Sequence, residues 1–374
     1  MNESSRQLAS SHKVGLVATR AWSDPTGIGE YTRNLYRALQ RRVQELWLIH
    51  GEMPADFLPG DRTRAIAAPA RDPYRRWFAP RALRVRGFSL LHFMTESELF
   101  YAGLKRTRLV VTIHGCAATR LPPHLHQQLP RRALIKYRYL LRRVAAIITV
   151  SEASRQDILE TFRVPPERVT VIYNGIADAF HRYALMQQPI IRPVGERPFI
   201  LAVGATIPKK NIVGILQALA ILKANGLPHR LIHVGPRDWG YDAIVRQIIS
   251  LGLQHDVEFK GRVSTDELIR YYAQADVFVF PSFHEGFGMP ILEAMACGCP
   301  VVTSNRYAMP EVAGDAALLV DPDDSAQIAD AIERLLSDEP LRRSFVERGR
   351  RRAQLFSWER ASEQVVAVYQ RILC

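Results

Sequence analysis

One stretch of the chain decides the fold: Asp276-Val-Phe-Val-Phe-Pro-Ser-Phe-His-Glu-Gly-Phe-Gly-Met-Pro-Ile-Leu-Glu-Ala-Met-Ala-Cys-Gly298. Its first part is a short apolar run that ends at Pro281, which predicts a buried strand. Its last part starts with Pro290 and ends with Gly298, which predicts a helix between them. The glycines in the middle predict a turn, so the expected order is strand, turn and helix.

Two carboxylates flank this turn, Glu285 before the helix and Glu293 eight residues later. The backbone N–H groups between them favour an anion at the helix N-terminus, and they belong to Gly286, Phe287, Gly288 and Met289. Carboxylates repel phosphate and accept hydrogen bonds from neutral hydroxyls. The pattern therefore suits a ligand with a phosphate in the middle and a sugar at each end, such as a nucleotide sugar. The alternative is that both Glu residues only complement the helix dipole.

Length and composition indicate a two-domain globular protein. The chain has 374 residues, of which 47% are hydrophobic and 23% charged. No run approaches the ~20 apolar residues that a membrane span requires. Four cysteines without a C-x-x-C pair indicate reduced thiols and a cytoplasmic location.

Positive charge is concentrated in the N-terminal half. Residues 1–190 contain 29 Lys and Arg against 15 Asp and Glu, whereas residues 191–374 contain 21 against 22. Much of the excess lies in Arg62–Arg86, which also holds Trp77 and Phe78, and in Arg131–Arg143. The chain shows no nucleic-acid-binding motif, so we expect no nucleic-acid partner. An anionic membrane surface or lipid-linked acceptor and a plain solvated surface remain alternatives.

Strand-like runs alternate with helical stretches along the whole chain, which predicts parallel sheets built from βαβ units. A stretch rich in proline, Gln187–Pro198, predicts a linker between two doubly wound halves. Ligands are expected at the carboxyl ends of the strands, in a cleft between the halves. The predicted strands are Val14–Thr19, Leu46–His50, Leu109–His114, Ala146–Val150, Val169–Tyr173, Phe199–Gly204, Arg230–Val234, Val257–Lys260, Val277–Pro281, Val301–Ser304 and Ala317–Val320.

Three further groups at predicted strand ends are candidates for ligand binding. Gly27 and Gly29 precede a predicted helix at Tyr31–Leu39 and would let a phosphate approach the backbone, unless they form an ordinary turn. The paired Lys209 and Lys210 could neutralise a diphosphate or could be surface residues. His114 ends a predicted buried strand. It is either a core residue whose ring nitrogens form hydrogen bonds within the protein or a residue that binds a sugar or phosphate.

Asp321-Pro-Asp323 is the only Asp-x-Asp pair, and it stands directly before Asp324 and a predicted helix. This order is typical of a turn that caps a helix and less typical of a Mg²⁺ site. We therefore expect neither a metal ion nor a cofactor.

Together these segments resemble glycosyltransferase family 4, the retaining enzymes of GT-B fold that use nucleotide sugars. The run from Glu285 to Glu293 resembles the family's E-x7-E signature, and the likeness extends from about residue 13 to 374. Supporting matches are Gly27-Ile-Gly29, Ile113-His-Gly115, Val150-Ser-Glu-Ala-Ser154, Tyr173-Asn-Gly175 and Pro310-Glu-Val-Ala-Gly314. The resemblance implies two Rossmann-like α/β domains facing across a cleft, at 1–187 and 188–355. It also implies a last helix, 356–374, that crosses back to the N-terminal domain.

The resemblance also implies a role for each candidate residue. Glu285 would bind the donor sugar and Glu293 the ribose, while Lys209 and Lys210 would hold the diphosphate. The amides of Gly286, Phe287, Gly288 and Met289 would lie against sugar and phosphate. Gly27 and Gly29 would contact the phosphates from the opposite domain, His114 would lie near the donor sugar, and Arg262-Val263 would lie near the base.

One position departs from the family pattern. Many members have arginine directly after the strand glycine, where this chain has Ala205, so the diphosphate would depend on Lys209 and Lys210. The run Gly204-Ala-Thr-Ile-Pro-Lys-Lys-Asn211 is similar to the mannosyltransferase-B-like branch, which favours GDP-mannose over UDP- or ADP-linked donors.

The resemblance thus implies a metal-independent hexosyltransferase that acts on a polysaccharide or lipid-linked saccharide, in the cytoplasm or on the inner membrane face. The alternatives are a phosphorylase, a sugar-nucleotide epimerase and a non-catalytic nucleotide-sugar-binding protein.

Overall fold

The computed structural model describes residues 8, 12–19, 26–50, 64–67, 87–101, 107–122, 124–125, 129–186 and 190–374. The described chain divides into two compact units. Unit 1 draws on Met1–Cys116, Leu129–Gly175 and Ser357–Cys374, and unit 2 on Ala117–Gln128 and Ile176–Phe356. Within the basic stretch Arg62–Arg86, all residues except 64–67 lie outside the described residues, as do 187–189 of the predicted linker. The domain bounds 1–187, 188–355 and 356–374 stay predictions.

Unit 1 contains a parallel sheet of seven described strands in the order β3-β2-β1-β4-β5-β6-β7. Its apolar strands are buried because helices cover both faces of a parallel sheet. The strands are β1 (Val14–Ala18), β2 (Leu46–His50), β3 (Arg64–Ala67), β4 (Leu90–Phe93), β5 (Arg108–Ile113), β6 (Ala146–Thr149) and β7 (Val169–Val171). With helices numbered in chain order through both units, unit 1 contains α1 (Gly27–Gln40), α3 (Arg131–Leu141), α4 (Glu152–Phe162) and α13 (Trp358–Leu373).

The last helix, α13, packs on α1 within unit 1. Ser357 caps its start by accepting a hydrogen bond from the Arg360 amide. Arg42, at the end of α1, donates a hydrogen bond to Ser362 at 2.9 Å and pairs with Glu363 at 2.8 Å. A Cβ on Gly175 would lie 2.3 Å from the backbone nitrogen of Trp358, so only glycine lets the helix start approach this closely.

Unit 2 contains a parallel sheet of six described strands in the order β10-β9-β8-β11-β12-β13. They are β8 (Phe199–Val203), β9 (Arg230–Val234), β10 (Val257–Gly261), β11 (Val277–Phe280), β12 (Val301–Ser304) and β13 (Leu318–Val320). The helices are α2 (Ala117–Arg120), α5 (Asp178–Met186), α6 (Ile212–Ala224), α7 (Tyr241–Ser250), α8 (Thr265–Gln274), α9 (Met289–Ala296), α10 (Ala308–Ala313), α11 (Ser325–Ser337) and α12 (Glu339–Ala353).

The structure confirms each strand predicted from the sequence to within two residues at either end. It adds β3 and β4, which the sequence analysis missed. In both units the strand order reverses beside the first strand, at β1/β4 and at β8/β11. Crevices for ligands form at the carboxyl ends of such reversing strands. None of the described helices combines the length and the apolar character that a membrane span needs.

Candidate functional site

The candidate site of unit 2 lies where the strand order reverses, at the carboxyl ends of β8 and β11. The loop after β8 contains Lys209 and Lys210 in a short 3₁₀ turn, Pro208–Lys210. The loop after β11 contains Glu285. The Phe283 amide donates a hydrogen bond of 2.8 Å to the Lys209 carbonyl, which ties the two loops together. The fold therefore brings the predicted lysines and the first predicted glutamate to one place.

Glu285 pairs with both lysines. Its Oε1 lies 2.8 Å from Lys210 Nζ, and its Oε2 lies 3.8 Å from Lys209 Nζ. The three side chains are largely buried, with exposed fractions of 11% for Glu285, 17% for Lys209 and 16% for Lys210. Within this group of three side chains, two cations face one carboxylate.

Electrostatics keep Glu285 ionised. Burial alone would raise the pKa of its carboxyl, but the ammonium groups of Lys209 and Lys210 outweigh burial and hold that pKa at about 2. Burial lowers the pKa of Lys210, and the neighbouring Glu285 carboxylate partly offsets the effect. A second anion beside Lys210 would stabilise its charged form further.

Glu285 retains capacity to accept hydrogen bonds. A carboxylate offers about four acceptor positions, and the lysine contacts, at 2.8 Å from Oε1 and 3.8 Å from Oε2, leave some of them unused. The side chain of Lys210 packs between the backbone at Gly204 and the ring of Phe280. A Cβ on Gly204 would lie 3.3 Å from Lys210 Cε, and Lys210 Nζ lies 4.6 Å from the centre of the Phe280 ring. The ammonium group is thus fixed while the carboxylate can still accept a ligand hydroxyl.

The glycine turn opens a helix as predicted. Gly288 is the N-cap residue of α9 with φ of 103°, a conformation that glycine adopts without strain. Pro290 lies in the first turn of α9, and Gly298 follows its end with φ of 76°. The amides of Gly288 and Met289 precede the first intrahelical hydrogen bond, from the Ile291 amide to the Gly288 carbonyl at 3.0 Å. This helix end favours an anion beside the Glu285–lysine group.

The second predicted glutamate, Glu293, lies in the next turn of α9 and is half-buried. Its Oε2 accepts a hydrogen bond of 3.1 Å from the hydroxyl of Tyr272, which lies on α8 and is fully buried. Burial, with the Glu293 carboxylate next, holds the pKa of Tyr272 well above its ordinary value. Tyr272 therefore stays protonated and orients the glutamate.

Arg262 and Val263 follow β10, the edge strand of the sheet, two strands from β8. The predicted position of a base near Val263 stays a prediction.

The predicted capped turn before α11 is confirmed, because Asp324 accepts a hydrogen bond from the Gln327 amide at 2.9 Å. Arg306 pairs with Asp321 at 2.6 Å and with Asp323 at 2.7 Å.

Asn211 contributes to the site in a way that the sequence analysis missed. Its side-chain oxygen caps α6 by accepting from the Gly214 amide at 3.2 Å. Its side-chain nitrogen donates to the carbonyls of Pro281 at 3.2 Å and Pro322 at 2.6 Å. This buried side chain joins the loop of the lysines to the loop that carries Glu285. An asparagine just before an apolar helical run is a capping signal and could have been noticed.

In unit 1, Gly27 and Gly29 lie in the first turn of α1, which begins at Gly27 and not at Tyr31 as expected. Both glycines therefore belong to the helix and not to a loop before it. Gly27 is exposed and Gly29 is buried. The first-turn amides of a helix attract anions, which keeps phosphate binding compatible with this position.

His114 follows β5 and is half-buried. Its Nε2 lies 3.0 Å from the Met94 carbonyl, which can only accept a hydrogen bond, so this nitrogen carries the proton. The rings of Tyr31 and His114 pack in a T-shaped arrangement with centroids 4.6 Å apart. The expected approach of His114, Gly27 and Gly29 to the donor site of unit 2 stays a prediction.

Behind Tyr31 lies a buried chain of hydrogen bonds. Tyr31 Oη is 3.1 Å from Thr112 Oγ1, which is 2.8 Å from His92 Nε2. His92 Nδ1 is in turn 2.6 Å from the hydroxyl of Tyr369 in α13. Burial, with His114 next, lowers the pKa of His92 to about 3, so the ring stays neutral. This chain holds Tyr31, and thereby the His114 ring, in place.

The family model "Glycosyl transferases group 1" matches residues 187–352, and the model "Glycosyltransferase Family 4" matches residues 25–180. The chain is 32% identical to the O-antigen chain mannosyltransferase B of Escherichia coli, over 92% of this chain and 96% of that protein.

Two further likenesses cover nearly the whole chain. It is 34% identical to an MMP alpha-(1->4)-mannosyltransferase of Mycolicibacterium hassiacum, over 96% of this chain and 98% of that protein. Its fold is similar to that of Anabaena HepE, solved in complex with UDP-glucose. The TM-score is 0.78 at 20% identity, over 96% of this chain and 99% of that one.

Proposed function

The chain belongs to glycosyltransferase family 4, the group 1 glycosyltransferases, and on that premise we propose that it transfers mannose from GDP-mannose. It is a glycosyltransferase, and it has the GT-B fold expected from the sequence. Two relatives named as mannosyltransferases, each matched over more than nine-tenths of this chain, support mannose as the sugar. We propose a polysaccharide or lipid-linked saccharide as the acceptor.

The observation that carries this proposal is the group of Glu285, Lys209 and Lys210 at the reversal point of the unit 2 sheet. In the proposed complex, the lysines and the amides of Gly286, Phe287, Gly288 and Met289 hold the diphosphate. Glu285 accepts hydrogen bonds from the mannose hydroxyls through the acceptor positions that the lysines leave unused. Glu293 accepts from the ribose hydroxyls, and Val263 lies near the base.

Transfer is proposed to retain the configuration at the anomeric carbon. The acceptor hydroxyl attacks the face that the GDP group leaves, the C1–O bond to the phosphate breaks, and the acceptor proton passes to the departing phosphate oxygen. Lys209, Lys210 and the helix amides stabilise the charge that grows on that oxygen. From unit 1 we propose that Gly27 and Gly29 contact the phosphates and that His114 orients the mannose.

Independence from metal ions is part of the proposal, because two ammonium groups lie in the crevice in which we propose that the leaving charge develops. Turnover measured with excess EDTA tests it. Unchanged initial rates support the role of the lysines, and a rate restored only by added Mg²⁺ or Mn²⁺ contradicts it.

The proposal is tested with a panel of GDP, UDP and ADP in a thermal-shift assay, followed by turnover of the corresponding sugars. The largest rise in Tm is expected with GDP, because a ligand that binds only the folded state stabilises it. Release of GDP from GDP-mannose should then depend on a saccharide acceptor, for which mannobiose serves as the probe. A larger shift with UDP would overturn the GDP assignment. Conversion of the donor without acceptor would favour the epimerase alternative.

We further propose that unit 1 docks on an anionic membrane surface through α3, where it would meet a lipid-linked acceptor at the cytoplasmic face. The exposed face of α3 combines Ile135 and Tyr139, which are 67% and 54% exposed, with basic side chains around them. These are the exposed Arg131, Arg132, Arg142 and Arg143. Apolar side chains framed by arginines suit an interface of anionic headgroups.

Co-sedimentation with phosphatidylcholine vesicles, with and without phosphatidylglycerol, tests the membrane proposal. Binding should require the anionic lipid and should weaken in Ile135→Ser and Tyr139→Ser. A matched control is Leu185→Ser, because Leu185 is 75% exposed at the end of α5 in unit 2. Equal binding of all variants would contradict a role for α3.

A further inference from the structure

Tyr307, in the loop after β12, has a backbone conformation that glycine normally occupies. Its φ is 51° and its ψ is −130°, close to the first central residue of a type II′ turn. Arg163 and Asn211 are the other non-glycine residues with positive φ in the described chain, and both lie in the milder left-handed helical region. A bulky residue in such a conformation persists only where its surroundings hold it.

The surroundings of Tyr307 hold it from both sides. The preceding residue, Arg306, pairs with Asp321 and Asp323. The following helix, α10, is anchored by Arg352, which donates hydrogen bonds to the carbonyls of Val312 at 2.9 Å and Glu311 at 2.6 Å. The strain is therefore imposed on Tyr307 by fixed neighbours.

The ring of Tyr307 lies on the ring of His284. Their centroids are 4.1 Å apart with an interplanar angle of 46°. His284 is 1% exposed, whereas Tyr307 is 37% exposed, so the tyrosine covers the histidine from the solvent side. His284 directly precedes Glu285, whose carboxylate meets Lys210.

We propose that Tyr307 is a positioning residue of the donor site, whose ring on His284 fixes the backbone that places Glu285 against Lys210. A glycine at position 307 would relieve the backbone strain but would leave His284 uncovered. The sequence therefore keeps a strained tyrosine for the contact that its ring makes. This inference deepens the proposed function and rests on the role proposed there for Glu285.

The test compares Tyr307→Gly and Tyr307→Phe, assayed with whichever nucleotide sugar the wild-type enzyme turns over. In Tyr307→Gly, kcat/KM is expected to fall by roughly 10–10²-fold, as for a catalytic group displaced by about 1 Å. Its Tm should be unchanged or higher, because the strain is relieved. Tyr307→Phe retains the ring and should retain wild-type kcat/KM.

Two further measurements separate positioning from folding. The Kd for the nucleoside diphosphate alone should change less than kcat/KM in Tyr307→Gly, because the lysines and helix amides remain. Arg163→Gly is the matched control, since it relieves positive φ at an exposed helix end in unit 1 and should leave kcat/KM unchanged.

Three results would overturn the inference. They are wild-type kcat/KM in Tyr307→Gly, an equal loss in Tyr307→Phe, or a loss in Tyr307→Gly that comes with a lowered Tm. Absence of turnover with GDP-mannose in the wild-type enzyme would instead count against the proposed donor, so the two failures are distinguishable.

Discussion

Nζ of Lys210 lies 2.8 Å from Oε1 of Glu285, and this ion pair joins the loop after β8 to the loop after β11. Both strand ends belong to the point where the order of the unit 2 sheet reverses. The pair therefore lies where a doubly wound sheet binds its ligand, and Lys209 adds a second cation 3.8 Å from Glu285 Oε2. A diphosphate that enters this crevice would meet two ammonium groups that Glu285 already holds.

Lys210→Ala removes the cation closest to Glu285. We expect kcat to fall by roughly 10²–10³-fold, because the charge on the leaving diphosphate loses one preorganised partner. The measurement is the initial rate of GDP release with acceptor present. Lys223→Ala is the matched control, since Lys223 pairs with Asp256 at 3.2 Å in the same unit and should retain full activity. More than a tenth of wild-type kcat in Lys210→Ala would contradict the assignment.

Glu285→Gln should change how stability depends on pH. The folded protein holds the pKa of Glu285 at about 2 against an ordinary 4.5, so its carboxylate stabilises the fold above pH 4.5. That contribution, about 3 kcal/mol, is lost as pH falls from 4.5 towards 2. Urea unfolding of wild type and variant should therefore give free energies that differ most at pH 7 and converge below pH 4.5.

The control for this measurement is Glu258→Gln, because Glu258 pairs with Arg230 and Lys260 at a half-exposed position. Exposed pairs contribute little, so its gap from wild type should be small at every pH. A gap for Glu285→Gln that stays constant from pH 7 to pH 3 would refute the electrostatic account.

Tyr272→Phe tests the role of Glu293. The variant keeps the buried ring but removes the hydroxyl that donates to Glu293 Oε2 at 3.1 Å. Losing such a hydrogen bond to a charged group costs about 1.5–3 kcal/mol, some of which should appear as weaker nucleotide binding. We expect the Kd for GDP, measured by calorimetry, to rise about tenfold with kcat nearly unchanged. Unaltered Kd would argue against ribose binding by Glu293.

The buried His92 predicts a second pH effect, in unit 1. Burial lowers the pKa of His92 to about 3 from the usual 6.5. Between these two pH values the imidazole is protonated in the unfolded chain but neutral in the folded protein. The stability contributed by neutral His92 is thus complete above pH 6.5 and declines by about 1.4 kcal/mol per pH unit as pH falls towards 3.

His92→Gln removes this titration while keeping a polar side chain between Thr112 and Tyr369. The stability advantage of wild type over the variant, measured by urea unfolding, should therefore shrink steadily from pH 6.5 to pH 4. An advantage that grows as pH falls would show that the folded protein protonates His92 readily.

The sequence predicted every described strand except β3 and β4, and both exceptions have a physical reason. β4 is Leu90-Leu-His-Phe93, where a histidine interrupts a short apolar run. That histidine is compatible with a buried strand only because Tyr369 and Thr112 bind its two nitrogens, and Tyr369 is 277 residues away. β3, Arg64-Ala-Ile-Ala67, is too short and too weakly patterned to be recognised alone.

The candidate site likewise contains residues that the sequence predicted and residues that it missed. Residue type and position at predicted strand ends marked Glu285, Lys209 and Lys210 as separate candidates, and the family resemblance implied that they share one ligand. The sheet order brings the three side chains together. Asn211 and Tyr307 were missed because their importance lies in geometry. The first binds two carbonyls from distant loops, and the second adopts a strained backbone that only fixed neighbours can impose.

The most direct test of the central claim follows the reaction of GDP-mannose by proton NMR, with mannobiose as acceptor, in wild type and Lys210→Ala. We expect the first product signals to belong to an α-mannoside, or to α-mannose where water replaces the acceptor, and to be nearly absent in the variant. Initial formation of a β-linked product, or equal rates in both proteins, would contradict retaining mannosyl transfer at the Glu285–lysine site.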